Sequence, residues 1–155
     1  MTTDHVRVEP FSYRTLSRLA GDRATSTEAA VIDDAPQPTL DEARRFLALS
    51  TAAMTELTYA KILLEQKLLV ERDAGTIVWL RAEAAQIEAC TALVRARMHA
   101  FEAGRRAMRA PSSEAVASAR TLGFRLGGLM PEEATVEEVV DLAAKMFEIW
   151  QETQV

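Results

Sequence analysis

The sequence predicts an all-α protein. It should be built on a long antiparallel, coiled-coil-like helical hairpin, with shorter C-terminal helices and an extended N-terminal arm. Three observations lead there. Residue usage leans to Ala, Leu, Glu and Arg, with 6% aromatics and only six Gly in 155 residues, a composition that favours helices over strands. Two consecutive long stretches repeat apolar residues at steps of three and four, which keeps a stripe on one side of a helix. Hydroxyl-x-x-Glu sequences stand at the expected helix starts, Thr39–Glu42 and Thr135–Glu138, where they satisfy free amides of the first turn. The chain divides into an arm (1–39), a hairpin (40–110) and a C-terminal segment (111–155) that packs on the hairpin or on a neighbouring subunit.

Within the arm, His5-Val6-Arg7-Val8-Glu9 alternates before Pro10 and reads as extended. A short helix is expected from Ser12 to Ala20, with Tyr13, Leu16 and Leu19 on one side and Gly21 as its stop. The Ser-, Thr-, Asp- and Pro-rich stretch to Thr39 reads as a linker. The arm would dock through Phe11, Tyr13 and Leu16.

The first hairpin helix starts at the Thr39 capping box and is expected to reach Ala74. Its buried side carries Phe46, Leu49, Ala53, Leu57, Ala60, Leu64 and Leu68, widened by Leu47, Met54, Leu63 and Leu69. A stripe that wide calls for more than one helical neighbour. Asp73-Ala74-Gly75-Thr76 offers a stop and a restart, with Gly75 as terminator and Thr76 as cap. The rival is one uninterrupted helix, since a lone Gly costs only ~1 kcal/mol relative to Ala.

The second long helix, Thr76 to Ala110, has a seam at Ile77, Leu80, Ala84, Ile87, Thr91, Val94, Met98, Phe101, Arg105 and Met108. Eight of those ten positions are apolar, so the seam demands a partner along its length. Polar Thr91 and Arg105 fit a role in fixing register. Beyond Pro111, a helix from Ser113 to about Leu122 precedes an irregular stretch set by Gly123, Gly127, Gly128 and Pro131. Phe124, Leu126, Leu129 and Met130 are then free to plug a core. A last helix follows Thr135, with Val136, Val139, Val140, Ala143, Met146, Phe147 and Trp150 at helical spacing.

The net charge of −5 implies no overall electrostatic partner, but its distribution is uneven. Leu93 to Arg109 holds five Arg (Arg95, Arg97, Arg105, Arg106, Arg109) against Glu102; Glu132 to Glu152 holds seven acids against Lys145. The two ends either pair with each other or face outside partners, the Arg row suiting a phosphate backbone. The single Cys90 excludes an internal disulfide and reads as a small hydrophobe beside the seam. With no signal-like start and no run of ~18 apolar residues, no membrane is expected, and the location is cytoplasmic or within a virus-like particle.

No catalytic, cofactor-binding or metal-ligating constellation emerges. Two His and one Cys form no Cys-x-x-Cys, His-Glu-x-x-His or Glu-x-x-His set, and Gly127-Gly128 lacks the Lys-Ser/Thr of a phosphate loop. His99, the one helical candidate for phosphotransfer, is followed by Glu102 and Ala103 where histidine phosphotransfer domains carry a basic residue and Gly. An acid there would repel a phosphohistidine.

At Ala52-Ala53-Met54-Thr55-Glu56-Leu57-Thr58-Tyr59-Ala60-Lys61, then Leu69-Val70-Glu71 and Thr76-Ile77-Val78, the chain resembles the helical middle of phage small terminase subunits. That resemblance implies helices that mediate oligomerisation in an assembly that recognises viral DNA and regulates the large packaging subunit. Residues 1–39 do not carry the helix-turn-helix reader usual in that family.

The expected function is therefore non-enzymatic: an assembly or adaptor protein acting through a homo-oligomer or partner helices, in a phage-type particle or packaging complex. Its interface would be Ile77, Leu80, Ile87, Val94, Met98, Phe101 and Met108 with Leu57 and Leu64. The alternatives are nucleic-acid binding through the Arg-rich helix end and, more remotely, a histidine phosphotransfer bundle.

Overall fold

A computed structural model describes residues 38–104 and 108–154, and among these every regular element is helical. The order is α1 (Leu40–Val70), α2 (Ala74–Glu102), α3 (Ser113–Gly127) and α4 (Val136–Gln151). The expected arm, with its helix over Ser12–Ala20, lies outside the described residues.

Thr39 caps α1 as its sequence predicts. Its hydroxyl accepts from the Glu42 amide at 3.2 Å, and the same hydroxyl donates to Glu42 Oε1 at 3.2 Å. Glu42 thus answers the Thr39 side chain rather than the cap amide. Phe46, Leu49, Ala53, Leu57, Ala60, Leu63 and Leu64 are buried along α1. Leu69 instead stands 85% exposed.

The break between α1 and α2 falls earlier than Gly75. Glu71 Oε1 accepts from the amides of Arg72 (2.9 Å) and Asp73 (3.0 Å), and Asp73 Oδ2 accepts from both the amide and hydroxyl of Thr76 at 2.9 Å. Asp73 is therefore the cap and Gly75 lies inside the first turn of α2. A carboxylate is the stronger acceptor for free amides at the positive helix end, which is why the acids, not Gly75 and Thr76, set the boundary. Asp73→Ala should cost about 0.5–2 kcal/mol in a urea titration. Thr76→Val should cost less, because the amide bond to Asp73 survives.

α2 does not reach Ala110. Gly104 adopts φ +67, and its amide donates to Phe101 O at 2.9 Å. A left-handed Gly closes the helix there. The two helices run antiparallel: the Phe46 ring near the start of α1 lies 4.6 Å from the Phe101 ring near the end of α2, and Lys61 Nζ meets Glu88 Oε1 at 3.4 Å midway.

Ser112 caps α3 through the Ala115 amide (3.0 Å), and α3 runs past the expected Leu122 to Gly127. Gly123 lies within it beside Glu56 of α1, whose carboxylate a side chain there would nudge by a few tenths of an ångström. The Tyr59 hydroxyl donates to Leu129 O (3.0 Å) and Lys67 Nζ to Pro131 O (3.3 Å), fixing the loop after α3 on α1. Leu126 is buried, whereas Phe124 and Met130 are exposed.

Thr135 then caps α4 through the Glu138 amide (3.1 Å). Val139, Val140, Leu142, Ala143, Met146, Phe147 and Trp150 form its buried face. α1 touches all three other helices, α4 also touches α2 and α3, and α2 and α3 do not meet. The core therefore lies where α1, α2 and α4 meet, with Ala119 and Leu126 of α3 closing it. At ~1.5 Å per residue, α3 and α4 are about half as long as the hairpin arms, but the loop between them reaches Lys67, so what stands clear of them is the last turn of α1 and the hairpin turn itself.

Candidate functional site

The predicted interface lies inside the fold. Leu57, Leu64, Ile87 and Val94 are fully buried and Leu80 nearly so, all within this chain's own core. Ile77, Met98, Phe101 and Met108 are partly buried, Phe101 against Phe46. The seam needs a partner along its length, and α1 with α4 supplies one. Polar Thr91 needs no register partner either: its hydroxyl donates to Ile87 O within the helix (2.8 Å).

The Arg-rich end is also not one row. Arg95 and Arg97 sit two residues apart on α2, about 200° around the helix from each other. Arg109 lies beyond the Gly104 break, with its amide donating to Thr153 O (2.9 Å) after α4. Arg105 and Arg106 lie outside the described residues.

The groups with chemical potential are each accounted for by packing or solvent. Cys90 is buried, and desolvation pushes its thiol up to about 12, leaving it protonated at neutral pH. His99 Nδ1 lies 3.6 Å from Glu102 Oε2 on an exposed turn. Glu83 is buried on α2, held by the Trp79 indole N–H at 3.2 Å. Desolvation raises the Glu56 carboxyl above its usual range. Among the described residues no three His, Cys, Asp or Glu side chains gather to hold a metal, and no helix is long and apolar enough to cross a membrane.

A groove of about 490 Å³ runs between α3 and α4, with Leu122 and Ile149 in it and Glu114, Glu148 and Glu152 around it. It is acidic and open, with Lys145 as the base among its lining residues. It offers a surface rather than a reaction chamber.

What remains uncovered is helix surface. Leu69, Val70 and Val78 flank the hairpin turn and are exposed, at 85%, 79% and 68%, with Ile62 (43%) two turns back along α1 and Leu40 (68%) at its far end. Phe124 (83%) and Met130 (56%) lie on α3 and its loop. The apolar periodicity hides this end, because it places Leu69 on the buried stripe. The loop between α3 and α4 docks no further along α1 than Lys67, which leaves Leu69 and Val70 beyond it. Comparison with protein-family models, with characterised proteins and with solved structures finds no match to this chain.

Proposed function

We propose that this chain is a non-enzymatic helical assembly protein that works by presenting exposed helix surface to other helices, copies of itself first among them. The observation that carries the reading is the uncovered turn end of the hairpin. Leu69 and Val70, at 85% and 79% exposure, are large apolar side chains that fold stability does not use. Exposed apolar surface gathered at one end of a small helical protein marks a contact site. The seam of α2 is occupied within the chain, so the turn end takes over the contact role expected of it. The resemblance of residues 52–78 to small terminase subunits supplies the proposed setting, a phage-type particle or packaging complex.

Light scattering across micromolar concentrations tests this. The expected result is a mass above 17.1 kDa that rises with concentration, and a weaker rise for Leu69→Ser/Val70→Ser, which leaves the helices intact by circular dichroism. A chain that stays at monomer mass at every concentration overturns the reading.

A further inference from the structure

α2 carries a second stripe, opposite the one that faces the core. Val78, Ala82, Ala85, Ala89, Ala92 and Ala96 alternate by four and three, and all are exposed. At 100° per residue their mean direction lies about 180° from the buried Leu80–Ile87–Val94 line. α1 and α4 pack on the core side, and α3 does not touch α2, so nothing in the described chain covers this face. Its side chains are apolar and mostly small, which allows a second helix to approach at the near end of the ~8–10 Å range.

The flanking charges identify the occupant. Arg81, Glu88, Arg95 and Glu102 are spaced seven apart, all exposed, and alternate in sign. We infer that two copies of this chain pair antiparallel along the outer face of α2, about a two-fold axis near Thr91. In that register Ala85 packs on Ala96 of the second copy and Ala89 on its Ala92. Arg81 then faces Glu102 of the second copy and Glu88 faces its Arg95, and the symmetry repeats both pairs. All four charge contacts are between unlike signs.

No neighbouring arrangement does as well. Sliding by one heptad sets Arg81 against Arg95 and Glu88 against itself, which is repulsive. A parallel pair places the charged row against the opposite flank, Trp79, Gln86, Leu93 and Ala100, which carries no charge. Flanking charges choose partner and direction in this way between paired helices. The contact is isologous, as a closed two-fold dimer requires. Glu88 already meets Lys61 at 3.4 Å and Glu102 meets His99 at 3.6 Å. Solvent screens both of these exposed pairs, so neither withholds its carboxylate from an Arg.

This inference rests on the proposed self-association and adds to it a second surface, distinct from the hairpin turn. The test uses two full-length double variants. Arg81→Glu/Arg95→Glu makes the row wholly acidic; Glu88→Arg/Glu102→Arg makes it wholly basic. Each alone should weaken the dimer by about tenfold or more, since four attractive pairs become repulsive. Mixed one to one, the two variants should recover wild-type mass as a heterodimer in sedimentation equilibrium. That recovery also shows that both variants are folded. A wild-type dimer indifferent to both reversals, or reversals not rescued by mixing, overturns the α2 pairing while leaving self-association through the hairpin turn intact. A wild-type chain that never associates overturns both.

Discussion

Ile87→Glu should leave the chain without a stable fold. Ile87 is fully buried in the core that α1, α2 and α4 share, and a carboxylate placed there has no partner in a cluster that includes Leu57, Leu64 and Val94. Even when it takes up a proton and becomes neutral, a buried carboxyl with no hydrogen-bond partner costs several kcal/mol, a large part of the ~5–15 kcal/mol that holds a typical domain together. Circular dichroism should show loss of helix rather than a folded monomer. That outcome separates the two roles for this seam. At a subunit interface the same charge would dissolve an oligomer and leave folded subunits behind. The milder Ile87→Ala and Leu57→Ala should each cost about 2–5 kcal/mol. The difference between each variant and wild type should be the same at every protein concentration, because both side chains pack within one chain.

Trp150→Ala should cost about 3–5 kcal/mol in a urea titration. The indole is the largest fully buried side chain among the described residues. It joins the end of α4 to α1, with its N–H donating to Ser50 Oγ at 3.1 Å. It also lies against the Phe147 ring at 5.6 Å between centroids, while the main-chain carbonyl of Trp150 accepts from the buried Thr153 hydroxyl. Truncation opens a cavity and strands the Ser50 hydroxyl in apolar surroundings. Trp150→Phe separates the two costs: most of the volume stays, and the loss of about 1–3 kcal/mol reports the unsatisfied hydroxyl. Pairing Trp150→Phe with Ser50→Ala should then recover much of that loss, since removing both partners together leaves neither polar group alone. A Trp150→Ala loss below ~1 kcal/mol would mean that α4 does not hold the hairpin base.

Much of the fold is legible in the sequence because it is local. Thr39, Ser112 and Thr135 announce helix starts through hydroxyls three residues from the amides they accept. The spacing of Phe46, Leu49, Ala53, Leu57, Ala60 and Leu64 places them on one face of a helix whatever surrounds it. Where expectation and structure part, the reason is also physical. At the hairpin turn, Glu71 and Asp73 outcompete Gly75 for the boundary, since acceptor strength matters more there than backbone freedom. At Gly123, a residue that often ends helices continues one, since a lone Gly costs only ~1 kcal/mol relative to Ala and Leu122 and Leu126 beside it pack on the core. The candidate surface is less legible. The outer row of α2 is written in the sequence at every seventh residue, but nothing local distinguishes it from a solvated face.

By itself, then, the sequence determined that the chain is helical, where most helices begin, and which side of each is apolar. Only the tertiary structure decided what lies against those sides. Helical periodicity is a property of one segment and its 3.6-residue turn, so it fixes the existence of a stripe and not its neighbour. The stripe through Leu80, Ile87 and Val94 would fit another chain as well as its own α1 and α4. The choice depends on how far α3 and α4 reach along the hairpin and on which face of each helix they leave uncovered.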